Sequence, residues 1–363
     1  MIVIERSKLL NTLQKLNIPT LKSSFPILST VLIEIEEEKI KFTTTNLELT
    51  VISQIKVLSR IRQSFCVSLV KFLSILKEFS EERVSLSLQK NFLWITCENC
   101  EFKLNIIEAA EFPKIPTLKN KQVIKINSPI LREMINFTNF SVFIGEANYV
   151  LTGFFCEIEG RKIKFTTSDT KRLSTIEREL APTQPLIQTK KSFIIPHRTI
   201  IELNRLLKEE EEVKLIIGEN QICFDLDNTQ IISQLIQGDF PDYQKYIPQD
   251  SEYKLKVNRQ RLSSSLKRAS ILSAPEYQGV KLEIKKDKLV ISKHTPQLGE
   301  YKEEIEAEFK GKELALGFNP QYLIDVLKVI EEEEVIFDVY SPEKPLVLRS
   351  NGFIYLALPM RLS

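Results

Sequence analysis

The chain has 363 residues, of which 43% are hydrophobic and 27% are charged, with 50 Lys and Arg against 48 Asp and Glu. At about 150 residues per domain, this length predicts two or three domains that can each bury a core. The near balance of charge neither requires nor excludes a polyanionic partner, so any electrostatic argument must be local. The N-terminus contains Glu5, Arg6 and Lys8 where a signal peptide needs an apolar run, and no segment approaches the ~18 apolar residues of a membrane span. We therefore expect a cytoplasmic chain with no membrane partner.

The numbers and positions of the cysteine, histidine and glycine residues exclude several classes of protein. The five cysteines are too few and too scattered to form the disulfide framework of a secreted protein of this size. Cys97 and Cys100 form one CxxC motif, but zinc needs four ligands and the only histidines are His197 and His294. Glycine is scarce, at 10 residues, and neither GxGxxG nor GxxxxGK[ST] occurs. We therefore predict reduced thiols, no metal, no cofactor and no nucleotide hydrolysis.

Six segments place apolar residues at helical spacing, with β-rich alternating runs between them. In chain order the helical segments are 5–17, 68–79, 128–141, 196–208, 258–271 and 319–330. The third and the sixth begin with Ser128-Pro129 and Asn319-Pro320, which is an N-cap residue followed by a residue without an amide to satisfy. The alternating runs favour antiparallel strands with one solvated face. They include 31–42, 85–96, 213–226 and 334–348. The predicted fold class is α+β.

The same pattern of elements occurs three times. KIKFTTTNLEL begins at Lys39, KIKFTTSDTKRL begins at Lys162, and a weaker match begins at Lys288, at spacings of 123 and 126 residues. The second helical segment of each repeat recurs at spacings of 128 and 123 residues. We therefore predict three tandem domains, each with two helices packed on antiparallel sheets. The predicted domains are 1–120, 121–249 and 250–363.

The charge is divided between the helices and the remainder of the chain. The six helical segments carry a net charge of +9, which leaves −7 for everything else in a chain of total charge +2. The most basic stretch is NRQRLSSSLKRAS, which has no aromatic interleaving and therefore favours contact with a phosphate backbone over base readout. Six basic residues of the fourth and fifth helical segments are expected to face the phosphates of DNA. They are Arg198, Arg205, Arg259, Arg261, Lys267 and Arg268.

Four motifs at these positions in a three-repeat chain resemble the bacterial sliding clamps, the β subunits of DNA polymerase III. The motifs are SDTKRL (168–173), GDFPDYQKYIP (238–248), GFNPQYLIDVL (317–327) and LPMRL (358–362). The resemblance covers the whole chain and implies three clamp domains and a head-to-tail homodimer that forms a ring around duplex DNA without sequence specificity. It also implies a non-catalytic processivity factor whose partners are the polymerase III catalytic subunit, the clamp loader and other proteins that carry a clamp-binding motif.

The resemblance also implies a peptide-binding pocket between the second and third domains. Its expected residues are Leu151, Ser168, Thr170, Lys171, Arg172, Leu173, Pro241, Lys245, Tyr246, Tyr277, Asn319, Tyr322, Leu358, Pro359, Met360, Arg361 and Leu362. In most such clamps a glycine and a histidine occupy the places of Thr170 and Lys171, so this chain departs from the pattern there. Lys22 and Tyr149 match family positions whose loops reach the duplex.

The size of the domains agrees with a ring built from two chains. A ~120-residue domain has a radius of gyration near 14 Å, so three touching domains enclose a hole of about 5 Å and six enclose one of about 35 Å. A duplex is roughly 20 Å wide, so one chain cannot surround it and two can. Two other classes remain open at this point. One is a hydrolase or transferase that uses Asp169 with Lys171 and Arg172, and the other is an interaction scaffold without nucleic acid.

Overall fold

The structure is a computed structural model that describes residues 1–18, 25–59, 61–115, 117–118, 122–182, 186–209, 211–249, 251 and 253–361. The chain divides into two compact units. The first comprises Met1–Pro129 with Arg198–Leu235, and the second comprises Ile130–His197 with Ile236–Ser363. The middle sequence repeat is therefore shared between the units, because some of its strands join a sheet of the first repeat and others join a sheet of the third. The predicted boundaries after residues 120 and 249 stay a prediction.

All six predicted helices are present, and each is a few residues shorter than its predicted segment. They are α1 (Arg6–Lys15), α2 (Leu69–Glu78), α3 (Ser128–Thr138), α4 (His197–Leu206), α5 (Arg259–Ser270) and α6 (Pro320–Val329). Their apolar stripes face inward, as the spacing predicts: Leu9 and Leu13 of α1, Leu131 of α3 and Leu266 of α5 are fully buried.

The four alternating runs each form a pair of adjacent antiparallel strands, as predicted. In chain order the strands of the described residues are β1 (Ile2–Glu5), β2 (Thr30–Ile35), β3 (Lys39–Thr45), β4 (Leu49–Lys56), β5 (Gln63–Ser68), β6 (Arg83–Gln89), β7 (Phe92–Cys97), β8 (Cys100–Asn105), β9 (Ile107–Glu108), β10 (Gln122–Asn127), β11 (Gly153–Gly160), β12 (Lys162–Ser168), β13 (Arg172–Glu179), β14 (Ile187–Pro196), β15 (Glu212–Ile217), β16 (Gln221–Asp225), β17 (Thr229–Gln234), β18 (Lys254–Asn258), β19 (Val280–Ile284), β20 (Lys288–Thr295), β21 (Gly299–Phe309), β22 (Leu314–Phe318), β23 (Glu334–Asp338), β24 (Leu346–Ser350) and β25 (Phe353–Ala357).

The first unit contains two antiparallel sheets. One has the order β1-β6-β7-β8, and the other has the order β10-β15-β16-β17-β4-β3-β2-β5-β9. Helix α1 packs on α2 and on β4. The core between the helices and the sheets includes Phe42, Phe65, Phe72 and Leu76, each at most 1% exposed.

The second unit contains one long sheet of order β14-β11-β12-β13-β25-β24-β23-β18-β21-β20-β19-β22. Helices α5 and α6 pack on each other, and α5 also packs on β20 and β21. Tyr355 and Phe353 of β25, Phe337 of β23 and Phe318 of β22 are at most 1% exposed. The sheet thus runs without a break from the middle sequence repeat into the third through the pairing of β13 with β25.

The two predicted N-caps have different outcomes. Asn319 caps α6, where its side-chain oxygen accepts the amide of Gln321 at 3.0 Å. Ser128 already lies in the first turn of α3, and its hydroxyl donates to the carbonyl of Lys208. The Ser-Pro signal correctly marks where α3 begins, but the serine hydroxyl bonds a carbonyl far along the chain, which the local sequence does not reveal.

Candidate functional site

A cavity of about 330 Å³ opens beside the end of β25 in the second unit. We call it the tail cavity, because the chain passes along it just before its C-terminus. Its lining is mainly leucine, proline and aromatic side chains with a few polar groups, which is the composition of small-ligand and peptide sites. The lining residues are Leu151, Ser168, Thr170, Lys171, Arg172, Leu173, Phe240, Pro241, Tyr243, Tyr246, Leu356 and Leu358.

The turn between β12 and β13 forms one wall of the tail cavity. The Asp169 carboxylate accepts the backbone amides of Lys171 and Arg172, both at 2.9 Å. The Ser168 hydroxyl donates to the Arg172 carbonyl at 2.9 Å. These bonds hold Thr170 at φ 74°, in the left-handed region that glycine adopts most easily. The turn therefore holds a threonine in a backbone conformation that a glycine would adopt with less strain.

Arg172 is fixed by two carboxylates and an aromatic ring. Its guanidinium donates to Asp169 at 2.9 Å and to Asp325 at 2.8 Å, and it lies 4.6 Å from the centre of the Tyr322 ring. The Arg172 side chain is only 12% exposed. The hydroxyl of Tyr355, a fully buried residue, donates to the Tyr322 carbonyl at 2.8 Å. Tyr322 therefore supports Arg172 from outside the cavity lining.

A buried polar contact fixes the aromatic side of the tail cavity. The Tyr243 hydroxyl donates to Glu157 Oε2 at 2.6 Å, and Lys190 Nζ lies 2.6 Å from Glu157 Oε1. Glu157 is 7% exposed and Tyr243 is 5% exposed. The Phe155 and Phe240 rings stack at 4.7 Å, and the Tyr243 ring meets both edge-on. Burial raises the pKa of Tyr243, so this hydroxyl remains a donor near neutral pH.

The C-terminal segment is attached at two points. The amide of Leu358 donates to the carbonyl of Lys171 at 2.8 Å, which extends β25 along the turn of the cavity. The amide of Met360 donates to the carbonyl of Gly317, also at 2.8 Å. A Cβ at Gly279 would lie 3.0 Å from the Met360 sulfur, so the methionine packs closely over that glycine. Leu358 thus faces the tail cavity, whereas Met360 packs on the third sequence repeat.

The structure brings together nine of the seventeen predicted pocket residues in this lining. The nine are Leu151, Ser168, Thr170, Lys171, Arg172, Leu173, Pro241, Tyr246 and Leu358. The others that the structure describes lie outside the lining and are Lys245, Tyr277, Asn319, Tyr322, Pro359, Met360 and Arg361. Leu362 is outside the described residues.

Sequence reasoning missed three lining residues, Phe240, Tyr243 and Leu356. Phe240 and Tyr243 lie within the motif 238–248, and Leu356 lies two residues before the motif LPMRL. Alternation could have indicated Leu356, because strand residues two apart share a face and Leu356 and Leu358 both line the cavity.

The basic residues of α5 differ in how strongly they are held. Arg259 donates to the carbonyls of Glu332 and Leu327, and Arg268 makes a two-pronged contact with Glu303. Arg261 reaches Glu306 only at 3.4 Å, with both side chains well exposed. Lys267 is exposed. Arg261 and Lys267 are therefore the freer cations of this helix.

The other described residues that we expect to face DNA lie in both units. Arg205 donates to the Lys15 carbonyl at the end of α1 and to the Glu202 carboxylate, both at 2.8 Å, so it ties α4 to α1. Arg198 is half-buried in the first turn of α4. Tyr149 is 62% exposed in the second unit. Lys22 is outside the described residues.

The described part of the chain contains no group of three or more His, Cys, Asp or Glu side chains placed to hold a metal ion. Cys97 and Cys100 are directly opposite each other across the β7–β8 turn, with Cys97 buried and Cys100 exposed. Among the helices that the structure describes, none has both the length and the apolar character needed to cross a bilayer.

Comparison with known proteins accounts for nearly the whole chain. Three family models of the DNA polymerase III beta subunit match in order: the N-terminal domain over residues 1–116, the central domain over 125–242 and the C-terminal domain over 244–361. The beta sliding clamp of Pseudomonas aeruginosa is 27% identical over 366 residues, covering 99% of each chain. That of Staphylococcus aureus is 28% identical over 357 residues, covering 94% of this chain and 93% of the relative. The crystal structure of the Bacillus subtilis sliding clamp superposes with a TM-score of 0.94 at 27% identity, covering 99% of both chains.

The repeated helix-and-sheet unit is thus the clamp fold, present three times in a non-catalytic protein of DNA replication. The chain belongs to the family of DNA polymerase III beta subunits, the bacterial sliding clamps. This confirms the resemblance drawn from the four motifs, together with the predicted α+β clamp fold and the absence of catalysis. The hydrolase and scaffold alternatives are wrong.

Proposed function

We propose that this sliding clamp tethers replication proteins by binding their short apolar peptides in the tail cavity. The observation that carries the proposal is that the chain's own end, Leu358, completes an apolar wall with Leu173 and Leu356. The side chains of Lys171 and Arg172 line the cavity beside this wall, where they can hold the polar parts of a peptide. Burying two apolar side chains of a ligand is worth roughly 3–6 kcal/mol before association costs, which fits micromolar, exchangeable binding.

The proposed partners are the polymerase III catalytic subunit, the clamp loader and other proteins with a clamp-binding motif. A peptide ending in Leu-Phe, assayed by calorimetry, is a suitable probe. Leu358→Ala should weaken its binding about tenfold, since a buried leucine contributes on the order of 1.5–3 kcal/mol against apolar ligand atoms. Met360→Ala is the matched control, because its side chain packs on Gly279 outside the cavity lining. Equal effects of the two substitutions would contradict the proposed site.

We further propose that two chains form a head-to-tail ring around duplex DNA, with basic helix residues touching phosphates loosely so that the ring slides. Arg261 and Lys267 are the best placed residues of α5, because Arg259 and Arg268 already hold internal partners. Loose contacts to phosphates are electrostatic and independent of sequence.

Retention on circular DNA tests the ring and its lining together. The wild-type protein, once loaded, should remain on nicked circular DNA and leave linear DNA from its ends. Arg261→Ala with Lys267→Ala should shorten the residence time while the dimer persists. Lys286→Ala with Lys312→Ala removes the same charge from exposed loop positions and should have no effect. Equal retention on linear and circular DNA would refute the ring, as would a stable monomer in solution scattering at micromolar concentration.

A further inference from the structure

The charged side chains of the tail cavity are all of one sign. Lys171 and Arg172 are the charged members of the lining that the structure describes, and no acidic side chain stands among them. The other lining residues are apolar or uncharged. The contacts of the two cations show which of them has a charge left for a ligand.

The charge of Arg172 is already compensated inside the protein. Its Nε donates to Asp169 at 2.9 Å, and its Nη1 donates to Asp325 at 2.8 Å. The three side chains are at most 16% exposed, so water and salt screen these contacts little. Arg172 can still donate a hydrogen bond to a neutral group, but a negative charge brought to it would also meet two carboxylates.

Lys171 has no such compensation within the described chain. It is exposed, and its ammonium forms no ion pair or hydrogen bond with another described residue. The neighbouring acidic groups are engaged or stand apart from the cavity. Asp242 pairs with Lys245 at 2.9 Å. Asp239 is exposed and lies outside the lining.

The backbone fixes the point from which the Lys171 side chain extends. Its amide donates to the Asp169 carboxylate at 2.9 Å, and its carbonyl accepts the amide of Leu358 at 2.8 Å. Lys171 thus lies between the turn and the leucine that completes the apolar wall. A peptide that buries apolar side chains against Leu358 places its adjacent groups beside the ammonium.

We infer that Lys171 makes the tail cavity selective for apolar peptides that carry a carboxylate next to their apolar residues. The carboxylate supplies the negative charge that the lining lacks. Because Lys171 is exposed, forming this ion pair removes little water from the ammonium. A free chain end after Leu-Phe and an acidic side chain before it offer the same chemistry. The inference rests on the proposed function and specifies the ligand of the same cavity.

The expected effect is a preference rather than a requirement. An ion pair between exposed groups changes an affinity by at most about fivefold. The carboxylate should therefore tighten binding about three- to fivefold. The preference should shrink as salt is added, because exposed charges are screened.

Calorimetry with two pairs of peptides tests the preference and its source. The first pair ends in Leu-Phe with either a free carboxylate or an amide at the chain end. The second pair ends in Leu-Phe amide and has either Glu or Gln directly before the Leu. Each pair differs in one charge and keeps the same apolar residues. Tighter binding of the charged member in the first pair identifies the chain end, and in the second pair the side chain.

Three variants assign the preference to its residue. Lys171→Met keeps an unbranched side chain without the charge and should abolish the preference, whereas Lys171→Glu should reverse it. Lys344→Met is the matched control, because it removes the same charge from an exposed position of the same unit outside the lining. It should leave the preference unchanged. Lys171→Met should unfold in urea like the wild type, since its ammonium has no partner to lose.

The outcomes separate this inference from the proposed function. Equal affinity of the wild type for both members of both pairs would overturn the inference and leave the peptide site in place. A preference that persists in Lys171→Met would overturn it too, because the charge would then belong to Arg172. If none of the four peptides binds, the proposed function fails and the inference fails with it.

Discussion

Removing the hydroxyl of Tyr243 should lower both the stability of the second unit and the affinity of the tail cavity for a peptide. Tyr243→Phe keeps the ring and deletes the donor that meets Glu157 at 2.6 Å. A hydrogen bond to a charged group contributes roughly 1.5–3 kcal/mol, and water can replace it only poorly at a carboxylate that is 7% exposed. Lys190 stays as the remaining partner of Glu157. We expect the free energy of unfolding to fall by about 2 kcal/mol.

A double-mutant cycle with Glu157→Gln isolates the contact. Glu157→Gln keeps an acceptor for the hydroxyl but loses the ion pair with Lys190, whose side chain is 49% exposed and contributes less than about 1 kcal/mol. The coupling between the two substitutions in urea unfolding should be about 1 kcal/mol or more. Additivity within about 0.5 kcal/mol would refute the reasoning, because residues in contact should not behave as independent sites.

Peptide affinity provides the second measurement for Tyr243→Phe. Without its hydroxyl bond the ring is no longer held against Phe155 and Phe240 before the ligand arrives. Ordering one side chain on binding costs about 0.5–1.5 kcal/mol, so the dissociation constant should rise roughly two- to twelvefold. Lys190→Met is the control, because it leaves the hydroxyl bond in place and should change affinity little. Unchanged affinity in Tyr243→Phe would show that the hydroxyl does not organise the cavity.

Three further changes have defined outcomes. Burial lowers the pKa of His197 below 6.5, so the folded state favours the neutral ring. Its stabilisation is present above about pH 6.5 and is lost as the pH falls, and His197→Gln should flatten this part of the stability–pH curve measured by urea unfolding. The side chain of Asp338 is 4% exposed and forms ion pairs with Lys254 and Arg349. Asp338→Asn should therefore lower the free energy of unfolding by about 3 kcal/mol. The control is Lys256→Met, which removes an exposed ion pair and should lower it by less than about 1 kcal/mol. Deleting residues 360–363 should leave thermal stability nearly unchanged in calorimetry, because β25 ends at Ala357.

The helices and paired strands could be predicted because their signals are local. A stripe such as Leu9, Leu13 and Leu16 needs only the helical period, and all three leucines are fully buried. The hairpins follow from alternation over a few residues. The repeat supplied the number of domains, since the motif strands at Lys39 and Lys162 differ little in sequence.

The partners of individual side chains could not be predicted in the same way. Arg205 has one local partner, Glu202, but it also bonds the carbonyl of Lys15, which is 190 residues away along the chain. Arg268 reads as a free cation in the sequence, but its partner Glu303 is 35 residues away. The Tyr243 contact with Glu157 spans 86 residues. Composition gives the charge of a helix, whereas the contacts made in the fold decide which charges remain available for a ligand.

Strands of successive repeats pair at two joints, β17 with β4 in the first unit and β25 with β13 in the second, and the tail cavity lies at the second joint. The face of the joint that holds the cavity bears Leu173 opposite Leu356. The same place in the joint of the first unit holds Thr50 opposite Ile232. Only the leucine pair offers an apolar wall made of two flexible side chains. It is also the joint whose strand β25 continues directly into Leu358, so the end of the chain adds the third apolar residue where the other two already meet.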